Sequence, residues 1–216
     1  MLISVHIPKT GGTSFGQILE RQFGPRLLKD YGDRPLSHPA LARIGRALAS
    51  APGSGRRLRG FDAVHGHFLA LKYSMVRGDV VTWLREPAQR VVSRYGHYQR
   101  DLARGKALRP VPGLRPGMSL EEFIEIPRFQ DTCAKFLAGF PWSRVRCFGF
   151  SEDMEEGLER MRRVLRLELG PSVHALANPE RGDAAYPIEP ALQRRIEKLN
   201  RRDYRLWRYA REREGV

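Results

Sequence analysis

The chain reads as a single α/β domain, residues 1–216, built on a mostly parallel sheet with helices on both faces. Two observations lead there. Short, almost wholly apolar runs suit strands buried on both sides, and amphipathic stretches with a 3.6-residue period separate them. The handover from run to helix repeatedly falls at a Gly or Pro turn, as in βα units.

The first apolar run, Leu2 to Pro8, predicts a buried strand. Lys9-Thr10-Gly11-Gly12-Thr13-Ser14 turns the chain into a helix whose apolar residues Phe15, Ile18, Leu19 and Phe23 share one face. Residues 24–60 are rich in Gly, Pro and Arg, with one short helix over Pro39–Ser50 and a mobile loop over 51–57. Ala63-Val64-His65 predicts a second strand and Asp79–Arg85 a third. Pro87 suits the first turn of a helix spanning about 87–104. Three prolines and three glycines make 105–118 a loop. Ser119 with Glu122 forms a capping-box signature for a helix ending near Pro127, and another helix covers about 130–139. Arg144–Phe150 predicts a fourth strand, and Ser151 caps a helix to about residue 168. Residues 170–187 read as irregular, and one long amphipathic helix fills about 189–213.

Composition narrows the partners. There are 38 Lys and Arg against 24 Asp and Glu, a formal charge of +14, and 32 of the 38 are arginine. That surplus favours an anionic partner: a nucleotide, a sulfated or carboxylated glycan, nucleic acid or a membrane surface. No stretch reaches the roughly 20 apolar residues of a membrane-spanning helix, and the first strand begins at residue 2, leaving no room for a signal peptide. The simplest expectation is a cytoplasmic, bacterial protein. Cys133 and Cys147 form no metal motif and read as free, buried thiols, with a disulfide the alternative.

The Lys9–Ser14 turn carries the most chemistry. A strand, a tight Gly-Gly turn and a helix aim backbone N–H groups and the positive helix end at one point, which suits phosphate or sulfate. Two small residues let an anion approach the backbone, hydroxyls add donors and Lys9 adds charge. A plain βα turn with a Thr or Ser cap is the bland alternative. A Walker A loop places its lysine after the glycines and its hydroxyl on Mg²⁺; here the lysine comes first and no Gly-Lys-Ser/Thr follows.

A second anion site is legible at Arg85, at the carboxyl end of the third strand, with Ser93 eight residues on. A guanidinium fork and a hydroxyl make a phosphate clamp, although both residues could be purely structural. A Walker-B strand would end in a metal-binding Asp; this one ends in Arg85, with Glu86 next. Further on, Val64-His65-Gly66-His67-Phe68 places two histidines at the end of the second strand. No third ligand is near in sequence, so a zinc site is disfavoured. A neutral imidazole can instead accept a hydroxyl proton near pH 7, while a structural role stays open for each histidine. His6, His38, His97 and His174 lack such context and read as structural or surface residues.

These segments together resemble the sulfotransferases that use 3′-phosphoadenosine 5′-phosphosulfate (PAPS), most nearly the carbohydrate branch that includes heparan sulfate 2-O-sulfotransferase. Residues 7–14 are similar to that family's 5′-phosphosulfate loop, and Arg85 with Ser93 to its 3′-phosphate motif. His65-Gly66-His67 is similar to the segment that supplies its base. Glu86 stands where the family often has Asp. Weaker similarity runs through Gln130–Gly139, Phe148–Met154 and Leu199–Trp207. Asn178–Arg181 falls where relatives carry a cofactor-covering loop.

The resemblance implies a P-loop-NTPase-like three-layer fold and a metal-free transfer of a sulfuryl group from PAPS to an acceptor hydroxyl, of a glycan or glycolipid. It implies His67 as base, with His65 supporting. Lys9, Thr10, Gly11, Gly12, Thr13, Ser14, Arg85, Ser93 and Arg181 would hold the nucleotide. The rival readings are a P-loop-like phosphotransferase and a basic nucleic-acid-binding module. Nothing in the chain names the acceptor.

Overall fold

The computed structural model describes residues 1–106, 110–171 and 185–216. Five parallel strands form one sheet: β1 (Leu2–Val5), β2 (Leu27–Asp30), β3 (Ala63–Gly66), β4 (Asp79–Leu84) and β5 (Val145–Phe150), in the order β2-β3-β1-β4-β5. β1 is central, in register with β3 from Leu2↔Ala63 and with β4 from Leu2↔Asp79. Eight α-helices are described: α1 (Gly12–Phe23), α2 (Ala40–Arg57), α3 (Pro87–Ala103), α4 (Leu120–Ile124), α5 (Thr132–Phe136), α6 (Met154–Leu165), α7 (Pro190–Leu199) and α8 (Arg201–Glu214).

Strand residues alternate between two cores. Ile3, Val5, Val64, Val80, Phe148 and Phe150 pack with Phe136, Leu137, Leu206 and Ala210 beneath α5 and α8. Leu2, Ala63, Val81, Trp83 and Cys147 pack with Phe15, Ile18, Leu158 and Met161 beneath α1 and α6. This is the three-layer α/β arrangement that near-continuous apolar strands require. The chain leaves β1 for β2 on one side and later places β4 on the other. The crevice between the carboxyl ends of β1 and β4 is therefore the switch point where open α/β sheets bind ligands.

Five expectations need correcting. The Gly-, Pro- and Arg-rich region after α1, read as holding one short helix and no strand, contains a strand, β2, which pairs with β3 from Leu27↔Ala63 to Asp30↔Gly66. The segment read as a mobile loop at 51–57 is the second half of α2, which runs on through Pro52. Burial of Ala47, Ala51 and Ser54, and a Ser54 Oγ bond to the Ala51 carbonyl at 2.6 Å, hold it against a proline cost of about 3 kcal/mol. The helix expected at 130–139 covers only Thr132–Phe136, and the one expected to reach 168 stops at Leu165, where Arg166 turns left-handed.

The long C-terminal helix is two helices broken at Asn200, a buried residue. Its side chain accepts the Asp131 N–H at 2.9 Å and donates to the Ile196 carbonyl at 2.9 Å. Buried Asp203 accepts the N–H groups of Cys133 at 3.1 Å and Ala134 at 2.8 Å, and stands 3.6 Å from Arg90. The break thus places two side chains at the start of α5. Cys133 and Cys147 are both free and buried. Among the described residues no helix is long and apolar enough to cross a membrane.

Candidate functional site

The site begins where β1 ends. Thr82 Oγ1 of β4 donates to the Val5 carbonyl at 2.9 Å, pinning the two strand ends together. Beyond them the turn is tight. Lys9 takes a φ of +70° and Gly11 a φ of +87°, both left-handed. For a lysine that conformation is uncommon and needs support from its surroundings. Thr10 supplies it: its buried hydroxyl donates to the Ile7 carbonyl at 2.9 Å. Thr10 therefore spends its donor on the turn, and only its backbone N–H could serve an anion. Gly11 is the N-cap of α1, and no side chain caps that helix end.

The two glycines also meet a steric demand that their position in the sequence did not show. A Cβ at Gly11 would lie 2.6 Å from Met154 Cε, and one at Gly12 would lie 2.1 Å from His6 Cδ2. Their missing side chains admit protein neighbours, a methionine and an imidazole. Thr13 is exposed and Ser14 half-buried on the first turn of α1.

Arg85 follows β4, directly across the crevice. Its Nε is buried without a hydrogen-bond partner, and its guanidinium lies 5.5 Å from the Tyr186 ring centroid. Ser93, two turns along α3, is buried, and its hydroxyl makes no hydrogen bond among the described residues. Glu86 is spent elsewhere: it caps α3 by accepting the Gln89 N–H at 2.7 Å, and it takes the Tyr204 hydroxyl. Glu152 accepts the Glu86 N–H at 2.7 Å, and burial holds its carboxyl above the usual range.

Positive charge predominates around Lys9, with Asp101 opposing it. Burial, then the positive charges of Arg100, Arg94 and Arg85, lower the Lys9 pKa to about 8. Burial and then Lys9 lower that of His97 to about 4, Asp101 opposing. Crowded cations of this kind are relieved by an anion. Arg94, Arg100 and His97 belong to α3, and nothing local in the sequence marked them as neighbours of Lys9.

Three histidines meet on the other side of the turn. His67 Nδ1 lies 2.6 Å from the His6 carbonyl oxygen. A carbonyl only accepts, so Nδ1 carries the proton and Nε2 is the lone-pair nitrogen. Burial lowers the His67 pKa, the His6 carbonyl opposes that, and Arg94 adds to it. His6 is stacked on His65 at 4.9 Å and tilted against His67 at 4.3 Å, and its Nδ1 is 3.0 Å from the Tyr31 hydroxyl. The Tyr31 ring stands edge-on to His67 at 4.8 Å. His65 is 2% exposed, bonded through Nδ1 to Ser4 Oγ at 2.8 Å, and packed under Gly16 of α1. His6 and His65 are pushed down to about 2 and about 3, chiefly by burial.

His67 lines a cavity of about 210 Å³; His65 does not. Among the described residues, no three His, Cys, Asp or Glu side chains are arranged to hold a metal. Arg181 lies outside the described residues, as do the rest of Asn178–Arg181 and His174. His6, read as structural, and Tyr31 stand inside the site. His6 is one residue past β1, a position that could have flagged it. Tyr31 follows β2, the strand that was not expected.

No protein-family model matches the chain, and no curated protein matches it.

Proposed function

We propose that the chain transfers a sulfuryl group from PAPS to an acceptor hydroxyl, of a glycan or glycolipid, with His67 as general base. The observation that carries the reading is the His67–His6 bond. It commits the proton to Nδ1 and leaves Nε2 as a base beside a cavity, one turn of chain from the Lys9 loop.

The groups at the crevice fit a ligand with an anion at each end. Lys9 and the uncapped start of α1 suit a 5′-phosphosulfate, while Arg85, with its unpartnered Nε, and Ser93 suit a 3′-phosphate. When bound, PAPS supplies an activated sulfuryl group whose S–O bond to the 5′-phosphate breaks as the acceptor oxygen attacks sulfur. His67 Nε2 takes the acceptor's hydroxyl proton as its oxygen attacks. Lys9 and the turn's N–H groups neutralise the charge that grows on the 5′-phosphate, preorganised stabilisation of the kind that usually dominates such steps. Walls made by Pro8, Phe129 and Phe136 keep the base in a partly dry setting. His65, buried on Ser4, would act by supporting the His6–His67 stack.

The test pairs binding with turnover. PAP should raise the melting temperature more than AMP or ATP with Mg²⁺ does, because only PAP engages both anion sites. His67→Ala should cut transfer from radiolabelled PAPS by about 10² to 10⁴ while PAP affinity stays near wild type. Near-normal transfer in that variant would remove His67 as base. Equal shifts from PAP and AMP would remove the two-site donor pocket.

A further inference from the structure

Helix α2 turns its leucines to solvent. Its buried side is made of Arg43, Ala47, Ala51 and Ser54, and Ala47 packs with Ile44 against Leu69 and Leu71. Leu41, by contrast, is 86% exposed and Leu48 51%. Leu41, Gly45, Leu48 and Pro52 are all exposed and follow the spacing i, i+4, i+7, i+11, so they form one stripe along the helix. That stripe carries no charge and no hydrogen-bonding side chain. The helix contains Arg43, Arg46, Arg56 and Arg57 but no Asp or Glu. Arg46 and Arg56 are exposed and, among the described residues, their side chains make no ion pair. Asp30 and Asp33, which precede the helix, are held by Lys72 at 2.7 and 2.8 Å. The arginine-rich α8 has the ordinary arrangement, with Leu206 and Ala210 buried and Arg201, Arg205 and Arg208 exposed.

We propose that the outer face of α2 docks onto an anionic phospholipid surface, with Leu41 and Leu48 entering the acyl boundary and Arg46 and Arg56 meeting the phosphates. A leucine exposed singly is ordinary on a protein surface. Two on one uncharged stripe, in a helix that has arginines and no acid, match the pattern of a helix that lies in a membrane interface. The signs are complementary, because an anionic leaflet attracts basic side chains near its surface. Arginine stems can run along apolar surface and leave the guanidinium at the headgroups. The stripe offers no hydrogen-bonding group to fix the register of a protein partner, and a fluid lipid surface needs none. Leu41 is four residues past Ser37, which lines the cavity beside His67. The docked face and the candidate site thus share one short segment of chain. Docking of this kind is independent of the reaction catalysed there.

The experiment is vesicle co-sedimentation of the full chain. It compares vesicles of phosphatidylcholine alone with vesicles of phosphatidylcholine and phosphatidylglycerol. The proteins are wild type, Leu41→Gln with Leu48→Gln, and Arg46→Gln with Arg56→Gln. Two controls lie off α2: Met75→Gln, at a position 70% exposed, and Arg205→Gln with Arg208→Gln, at exposed positions of α8. Wild type should bind the mixed vesicles tenfold or more tightly than phosphatidylcholine alone. The leucine pair should weaken that binding by about tenfold or more, through lost apolar burial. The arginine pair should weaken it by about fivefold per residue. Both controls should lose less than the α2 variants. Every substituted side chain is exposed, and equal melting temperatures check the fold; if the leucine pair melts early, Leu41→Gln alone carries the test. Absence of binding to mixed vesicles overturns the proposal. So does wild-type binding by the leucine pair, or an equal loss in the α8 control, since either means adsorption by net charge alone. A wild-type dimer in sedimentation that the leucine pair dissolves, with no vesicle binding, overturns it in favour of a second copy of the chain.

Discussion

Lowering the pH from 8 to 5 should cost this fold about 4 kcal/mol through two histidines alone. His6 and His65 are 8% and 2% exposed, and their pKa values are pushed to about 2 and about 3. In the unfolded chain both return to the ordinary value near 6.5. A depressed native pKa contributes nothing above pH 6.5. Below it the unfolded state binds a proton that the native state refuses, so stability falls as pH falls from 6.5 toward the native value. At pH 5 each histidine favours unfolding by RT ln(1 + 10^1.5), about 2 kcal/mol. The sum is a large part of the roughly 5–15 kcal/mol that holds a domain together. Urea unfolding at pH 8, 6.5, 6 and 5, for wild type and His65→Gln, isolates the effect. The variant loses packing at every pH, yet its pH dependence should be smaller by about 2 kcal/mol between pH 8 and 5. Identical pH dependence in the two proteins would mean that His65 is not held neutral, and the account of the histidine cluster would fall.

Activity should show two limbs in kcat/KM: an acid fall below pH 6.5, because His67 is depressed, and an alkaline fall near pH 8, where the empty enzyme's Lys9 loses its charge. An acid limb at pH 7 or above would contradict the burial of His67. Lys9→Ala should lower kcat at saturating PAPS, whereas Arg85→Ala should mainly weaken PAP binding, read by titration beside turnover. Gly12→Ala should destabilise by about 1–3 kcal/mol in thermal unfolding, since its methyl meets the His6 ring. A variant as stable as wild type would show that His6 moves freely.

Local pattern was enough for what depends on neighbours in the chain. The apolar runs at 2–8 and 79–85 announced β1 and β4, because a strand buried on both faces has no polar alternation to hide it. Ser119 and Glu122 announced α4, whose capping box is formed as their spacing required. Lys9, Gly11, Gly12 and Arg85 stood out because a turn's chemistry is written in consecutive residues. β2 escaped because four residues, Leu27-Leu28-Lys29-Asp30, carry too little period to be recognised, and pairing with β3 supplies what they lack. Pro52 and its neighbours looked like a loop breaker, but burial against the turn that follows β3 outweighs propensity.

The site's electrostatics were beyond any local reading. Arg94 and Arg100 act on Lys9 from 85 to 91 positions away, across the β1–β4 crevice that the strand order creates. His6 became central only when the turn after β3 brought His67 onto its carbonyl. Sequence by itself determined the fold class and singled out the turn and strand-end residues on which the proposal rests, because both are set by short-range pattern. Tertiary structure decided which nitrogen of His67 keeps its lone pair, which neighbours the two glycines admit and how arginines gather beside it, because those depend on distances between segments remote in the chain.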